Sequence, residues 1–126
     1  MGADHARILS QQIAGVSLHF ICDRDTARAR QIADDTGAAH VSDDPLAVIN
    51  DRQVDAVLIA SPDQTHAPLT KACIAAGKPV LCEKPFAVNA IEAQAMVVAA
   101  RANNVALLEA MWTRFLPHIA QVRELL

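Results

Sequence analysis

Short apolar runs alternate along the chain with longer segments in which apolar residues recur every three or four positions. The short runs have the length and the branched aliphatic content of buried strands, whereas the longer segments have the period of helices. Both faces of the runs are mostly apolar, which is typical of a parallel sheet covered by helices on both sides. The pattern predicts five strands, over Val16–Cys22, Ala38–Val41, Val54–Ala60, Pro79–Glu83 and Val105–Ala110.

The segments between these runs carry the start and stop signals of helices. Gly37 and Gly77 stand where a left-handed residue ends a helix at low cost. Asp44 precedes Pro45, an order in which the aspartate caps the helix and the proline opens it. The predicted helices are Ala3–Ile13, Asp25–Thr36, Pro45–Asn50, His66–Ala76, Ala90–Asn103 and Pro117–Leu126. In the fifth of these, an apolar stripe is expected to face the sheet, formed by Ile91, Ala95, Val98, Ala99 and Ala102.

Composition narrows the class of protein. The 126 residues are 52% hydrophobic, which suffices for one domain with a core. Aromatic residues make up only 3%, the formal charge is -3, and the lysines and arginines are scattered, so a nucleic-acid-binding surface is not expected. A small molecule is the favoured ligand, since no basic patch indicates another.

The cysteines and histidines show no metal-binding or disulfide spacing. Cys22 and Cys82 end apolar runs and are expected to behave as small core residues, and Cys73 forms no pair with them. The five histidines are not spaced as ligand pairs either, so no metal site is expected. No apolar stretch reaches the roughly 18 to 20 residues of a membrane span and no leader opens the chain, which favours a cytoplasmic protein.

Polar residues follow three of the predicted strands. They are Cys22-Asp23-Arg24, Ser61-Pro62-Asp63 and Glu83-Lys84-Pro85. In a right-handed parallel sheet the carboxyl ends of all strands point to one edge, where ligands bind. We therefore expect Asp23, Ser61 and Lys84 to line one cleft.

Asp23 is the candidate reader of a nucleotide ribose. It follows a strand about 20 residues after Gly2, the spacing at which an acid accepts hydrogen bonds from both ribose hydroxyls and repels a 2′-phosphate. The alternative is that Asp23 only caps the helix near Asp25. Arg24 beside it would stack on adenine or pair with a 2′-phosphate, or else is a solvated charge. NAD is thus favoured over NADP.

Lys84 is the candidate catalytic group. A lysine at a strand end can hydrogen-bond a substrate hydroxyl and stabilise the alkoxide that forms as hydride leaves. The alternative is an ordinary surface lysine, although Pro85 fixes the turn and favours deliberate placement. Ser61 and His66 are not expected to form a hydrolase pair, because no glycine-flanked elbow surrounds the serine.

The quoted residues resemble a known family. Val54 to Pro62, Thr65-His66 and the Ala-Gly-Lys-Pro sequence at 76–79 that leads into Glu-Lys-Pro at 83–85 are similar to the glucose-fructose oxidoreductase and inositol dehydrogenase (Gfo/Idh/MocA) family. The resemblance covers nearly the whole chain and is specific in combination. It implies a Rossmann-like, doubly wound α/β domain that binds NAD or NADP, from a dehydrogenase of cyclic polyols or sugars.

The resemblance also implies residue roles. Lys84 matches the lysine at substrate and nicotinamide, and its neighbours Glu83 and Pro85 are expected to bind the cofactor with it. Asp23 matches the ribose reader, Ser61 and Pro62 match a loop along the cofactor, and His66 matches a position near the nicotinamide. Gly2 looks like the third glycine of the family's phosphate-binding fingerprint. The residues around it resemble inositol 2-dehydrogenases, whereas the segment at 109–117 resembles the dihydrodiol and aldose dehydrogenase branch.

Against this family the chain is expected to lack the first strand, its glycine turn and a carboxyl-terminal α+β substrate domain. Residues 1–111 would then form the nucleotide-binding domain and residues 112–126 the start of an interdomain connection. The 126 residues alone are expected to be inactive, and the complete parent enzyme to be a homo-oligomer. Two alternatives remain open: a non-catalytic module acting in binding or assembly through exposed sheet edges, and a natural chain that extends in both directions.

Overall fold

The computed structural model describes residues 1–126 as alternating helices and short parallel strands. Two 3₁₀ turns, Asp63–Thr65 and Trp112–Phe115, complete the regular elements. None of the helices combines the length and the hydropathy that crossing a membrane requires. In chain order the elements are α1 (Gly2–Gln11), β1 (Phe20–Cys22), α2 (Thr26–Thr36), β2 (His40–Ser42), α3 (Pro45–Asn50), β3 (Val57–Ile59), α4 (His66–Ala75), β4 (Val80–Cys82), α5 (Ala90–Ala102), β5 (Leu107–Glu109) and α6 (Pro117–Leu125).

The strands form two parallel sheets. β1 pairs with β2 in the first, and β4 lies between β3 and β5 in the second. All five strands end at their predicted ends or within one residue of them. Parallel pairing through helical crossovers confirms the Rossmann-like α/β class that the sequence predicted. Strands β3, β4 and β5 therefore present their carboxyl ends, at Ile59, Cys82 and Glu109, to one edge.

Local signals set the helix boundaries. Asp25 is the cap of α2 rather than its first residue, because its side chain accepts the Arg28 amide. Asp44 caps α3 in the same way, with proline at the first position as predicted. Gly37 and Gly77 adopt φ values of 74° and 72°, the left-handed conformation that ends α2 and follows α4.

The core lies in the second sheet and its helices. Its buried cluster consists of Ile49, Ile59, Ala67, Cys73, Val80, Cys82 and Met96. The segment before α3 buries only alanines, Ala6, Ala29 and Ala33. The part of the chain that carries β3, β4 and β5 is therefore the better packed part.

Two predictions about burial are wrong. In α5, Ile91 and Val98 are 83% and 53% exposed, and the helix buries Met96 and Ala100 instead. This helix is apolar over most of its circumference, so the pattern could not select the buried face. Cys22 is exposed, because side chains alternate along β1 and the two-stranded sheet gives its outer end little cover.

Candidate functional site

Two acidic side chains hold the backbone of the turn that follows β4. The Lys84 amide donates to Oε2 of Glu83 at 2.8 Å, and the Phe86 amide donates to Oε1 of Glu109 at 3.0 Å. Glu83 directly follows the turn's own strand, β4, whereas Glu109 ends the neighbouring β5. Because carboxylate acceptors make stronger hydrogen bonds than neutral ones, the backbone on both sides of Lys84 is fixed.

His66 joins this turn to the loop after β3. Its side chain is buried, with Nδ1 at 2.8 Å from the Pro85 carbonyl oxygen and Nε2 at 2.8 Å from the Ser61 carbonyl oxygen. The Ser61 hydroxyl lies 2.6 Å from that of Thr65, which donates to the Pro62 carbonyl. Hydrogen bonds through the ring of His66 thus join the predicted loop residues to the turn, and the ring supports the backbone of both.

Glu83 is the buried acid of the cluster. Nε2 of His5, on α1, donates to its Oε1 at 2.7 Å, while Oε2 accepts the Lys84 amide. Burial raises the pKa of Glu83, but the hydrogen bonds from His5 and from the Lys84 amide outweigh it, so the pKa lies below its usual range. Glu83 is therefore an ionised support for the turn.

The side chain of Lys84 takes no part in these hydrogen bonds. It is exposed, and its ammonium group forms neither an ion pair nor a hydrogen bond. The turn thus combines a fixed backbone with a free amine at the carboxyl end of a central strand. Such an amine can donate to, or exchange a proton with, the hydroxyl of a ligand bound at this edge.

The start of α1 lies at the same edge. A Cβ built on Gly2 would lie 3.6 Å from the Cβ of Ala60, the residue that follows β3, which is ordinary contact. No side chain caps this helix, and the backbone amides of Gly2 and Ala3 have no acceptor. Free amides at a helix start are suited to an anion such as a pyrophosphate.

Asp23 stands at the end of β1 in an ion pair. Arg28, on α2, donates to both of its carboxylate oxygens, and the Asp25 amide donates to Oδ1 at 2.9 Å. The Arg28 hydrogen bonds hold the pKa of Asp23 below its usual range, although partial burial opposes them. Arg24 is exposed and forms no ion pair.

The structure unites most of the predicted site residues in one cluster: Ser61, Pro62, His66, Glu83, Lys84 and Pro85. The hydrogen bonds of Asp23 remain within its own loop and α2. Three residues were missed, namely His5, Arg28 and Glu109. Only Glu109 carried a usable signal, because it ends a strand as Lys84 nearly does.

The comparisons with known proteins agree with this geometry. Residues 1–111 match the family model described as the Gfo/Idh/MocA oxidoreductase family, NAD-binding Rossmann fold. The chain is 44% identical over 115 residues to inositol 2-dehydrogenase 1 of Saccharopolyspora erythraea, an alignment that covers 90% of this chain and 34% of that protein. It is 42% identical over 108 residues to trans-1,2-dihydrobenzene-1,2-diol dehydrogenase of Mus musculus, covering 84% and 32% respectively.

A solved structure supports the same relationship. The crystal structure of GenD2 from gentamicin A biosynthesis, in complex with NAD, superposes with a TM-score of 0.88 at 31% identity. That superposition covers 98% of this chain and 35% of the other. The chain therefore spans about a third of the length of the relatives that it matches.

Proposed function

Because the chain belongs to the Gfo/Idh/MocA oxidoreductase family, with its NAD-binding Rossmann fold, we propose that it binds NAD and serves the oxidation of a cyclic polyol. The observation that carries this proposal is the turn after β4, which Glu83 and Glu109 fix while leaving the amine of Lys84 unpaired. A dehydrogenase needs such a group, because negative charge develops on the hydroxyl oxygen as the carbon loses hydride and a lysine ammonium stabilises that charge.

Different residues of this chain would bind different parts of the cofactor. The free amides at the start of α1, at Gly2 and Ala3, would bind the pyrophosphate, and Asp23 would accept hydrogen bonds from the ribose. The loop at Ser61 and Pro62 would lie along the cofactor, with His66 supporting it from beneath. Bound NAD would supply the hydride acceptor.

Lys84 would act on the substrate rather than on the cofactor. Its amine would hydrogen-bond the reacting hydroxyl, and its charge would stabilise the negative oxygen that develops during hydride transfer. Glu83 and Glu109 do not need to touch the substrate for this role. They are positioning residues, because they fix the backbone that directs Lys84.

The substrate class comes from the relatives. Similarity to the inositol 2-dehydrogenase of Saccharopolyspora erythraea supports a ring with several hydroxyls as the substrate of this chain. Similarity to the mouse enzyme supports a vicinal diol as the second candidate. We further propose that residues 112–126 begin an interdomain connection, since no side chain of the turn at Trp112–Phe115 or of α6 is buried. Three free cysteines are consistent with a reducing, cytoplasmic setting.

A chimera tests the proposal. The matched 115 residues of the Saccharopolyspora enzyme would be replaced by those of this chain, and NAD reduction would be followed with inositol, a vicinal diol and aldoses. Lys84→Ala should lower kcat on the order of a hundredfold and change the Kd for NAD less than about twofold. Lys71→Ala, at an exposed lysine of α4, is the matched control. Full turnover in the Lys84→Ala chimera would contradict the assigned role.

A further inference from the structure

The ion pair just after β1 occupies most of the acceptor capacity of Asp23. Nη2 of Arg28 lies 2.7 Å from Oδ1 and 2.8 Å from Oδ2, and Nε lies 3.0 Å from Oδ2. The Asp25 amide also donates a hydrogen bond to Oδ1. Nε, one hydrogen of Nη2 and the Asp25 amide donate three hydrogens to a carboxylate that offers about four acceptor sites, so about one site remains open while Arg28 is bound.

This occupancy matters for a ribose. An acid that selects NAD does so by accepting hydrogen bonds from both ribose hydroxyls and by repelling a phosphate at the 2′ position. Asp23 can do the first only if Arg28 withdraws, and it does the second weakly because the guanidinium cancels its charge. The predicted preference for NAD is thus opposed by a residue that the sequence analysis did not name.

Arg28 is free to change partner. Its side chain is 59% exposed and lies in the first turn of α2, while its backbone amide is held separately by Asp25. A guanidinium binds phosphate as readily as carboxylate, in the same two-pronged geometry. Arg24 is also close in sequence, but it makes no contact that would place it against the carboxylate.

We propose that Arg28 is a specificity-determining residue that exchanges its Asp23 partner for the 2′-phosphate of NADP, so that the site accepts both nucleotides. This inference rests on the proposed function, because it assumes that the edge at Asp23 holds the adenosine ribose. In this proposal Arg28, rather than Arg24, binds the 2′-phosphate.

The experiment measures the Kd of NAD and of NADP by calorimetry for the 126-residue chain, with AMP and 2′,5′-ADP as probes that lack the nicotinamide half. Arg28→Gln should weaken NADP and 2′,5′-ADP binding by about tenfold or more and should leave NAD binding unchanged or a few-fold tighter. Arg28→Lys keeps the charge but loses the two-pronged geometry, so its affinity for NADP and 2′,5′-ADP should lie between those of the unaltered chain and of Arg28→Gln.

Arg30→Gln is the matched control, since Arg30 is exposed on the same helix and forms no ion pair. Arg24→Gln tests the competing assignment. The role of Arg28 would be wrong if Arg28→Gln changed the ratio of the Kd for NAD to the Kd for NADP by less than about twofold, or if Arg24→Gln changed that ratio more than Arg28→Gln does. Neither result would contradict the cofactor proposal. Failure of the unaltered chain to bind any of the four nucleotides would overturn the cofactor proposal as well.

Discussion

Nε2 of His5 lies 2.7 Å from Oε1 of Glu83, and this contact joins the first helix to the turn that carries Lys84. The two residues are 78 positions apart in the chain. The helix whose free amides are suited to a pyrophosphate and the turn that presents the amine of Lys84 are therefore held at a fixed separation.

His5→Ala should lower the free energy of unfolding by about 1–3 kcal/mol at neutral pH, because a buried carboxylate loses its donor. Urea unfolding followed by circular dichroism measures the change. His118→Ala, at an exposed histidine of α6, should stay within about 0.5 kcal/mol. Equal stability of the His5→Ala variant and the unaltered chain would show that the contact contributes nothing.

Acid should remove the contribution of Glu83. Because its pKa in the folded chain lies below the ordinary value of 4.5, its ionisation stabilises the fold above that value, and the contribution is lost as the pH falls through the folded pKa. Glu83→Gln should therefore be less stable than the unaltered chain at pH 7, by a margin that shrinks toward pH 3. Unfolding free energies across this range test it. A margin independent of pH would contradict it.

Glu109→Ala should reduce kcat in the chimera several-fold while sparing the Kd for NAD, because the Phe86 amide loses its acceptor and Lys84 is directed less well. Glu109→Gln should restore most of the rate, since its amide oxygen still accepts this hydrogen bond. A purely structural role would lower thermal stability in both variants without separating kcat from Kd.

Lys78 holds the segment before β3. Its ammonium donates to the carbonyl oxygens of Asp51 and Val54. Lys78→Met keeps the length of the side chain and removes both hydrogen bonds, so it should destabilise the fold by about 2 kcal/mol. Lys71→Met, at an exposed position on α4, is the control and should be near neutral. Comparable losses in the two variants would contradict the role of Lys78.

The three thiols should differ sharply toward a disulfide reagent such as DTNB. Cys73 and Cys82 are fully buried, and burial raises the pKa of Cys73 to about 11. Only Cys22, which is exposed, should react in the folded chain, and it should do so faster as the pH rises, because partial burial and then Asp23 raise the pKa of its thiol. All three should react in denaturant. Release of a second thiol equivalent from folded protein would contradict the packing.

Local chemistry made much of this fold predictable. Local signals depend only on neighbours in sequence; they include the caps at Asp44 and Gly37 and the apolar runs that end at Cys22 and Cys82. The helices and strands end close to where these signals predict. The buried face of α5 was not predictable, because alanine and valine surround that helix.

The site divides in the same way. Ser61 and Lys84 follow from the rule that ligands collect at the carboxyl ends of parallel strands. The partners that fix them, His5 and Glu109, lie far away in sequence, and no periodicity carries such a distant pairing. Arg28 lies only five positions from Asp23, but an exposed helical arginine has many possible partners and the sequence favoured Arg24.

The uneven distribution of the core gives the two sheets different resistance to local opening. The segment that carries β1, β2 and the helices α1 and α2 buries only alanines, so it has little apolar contact of its own to resist local opening. Around β4, by contrast, a continuous buried cluster packs beneath the turn that carries Lys84. The region around Asp23 is thus expected to yield more easily to a ligand, whereas the region around Lys84 is expected to be rigid before any ligand binds.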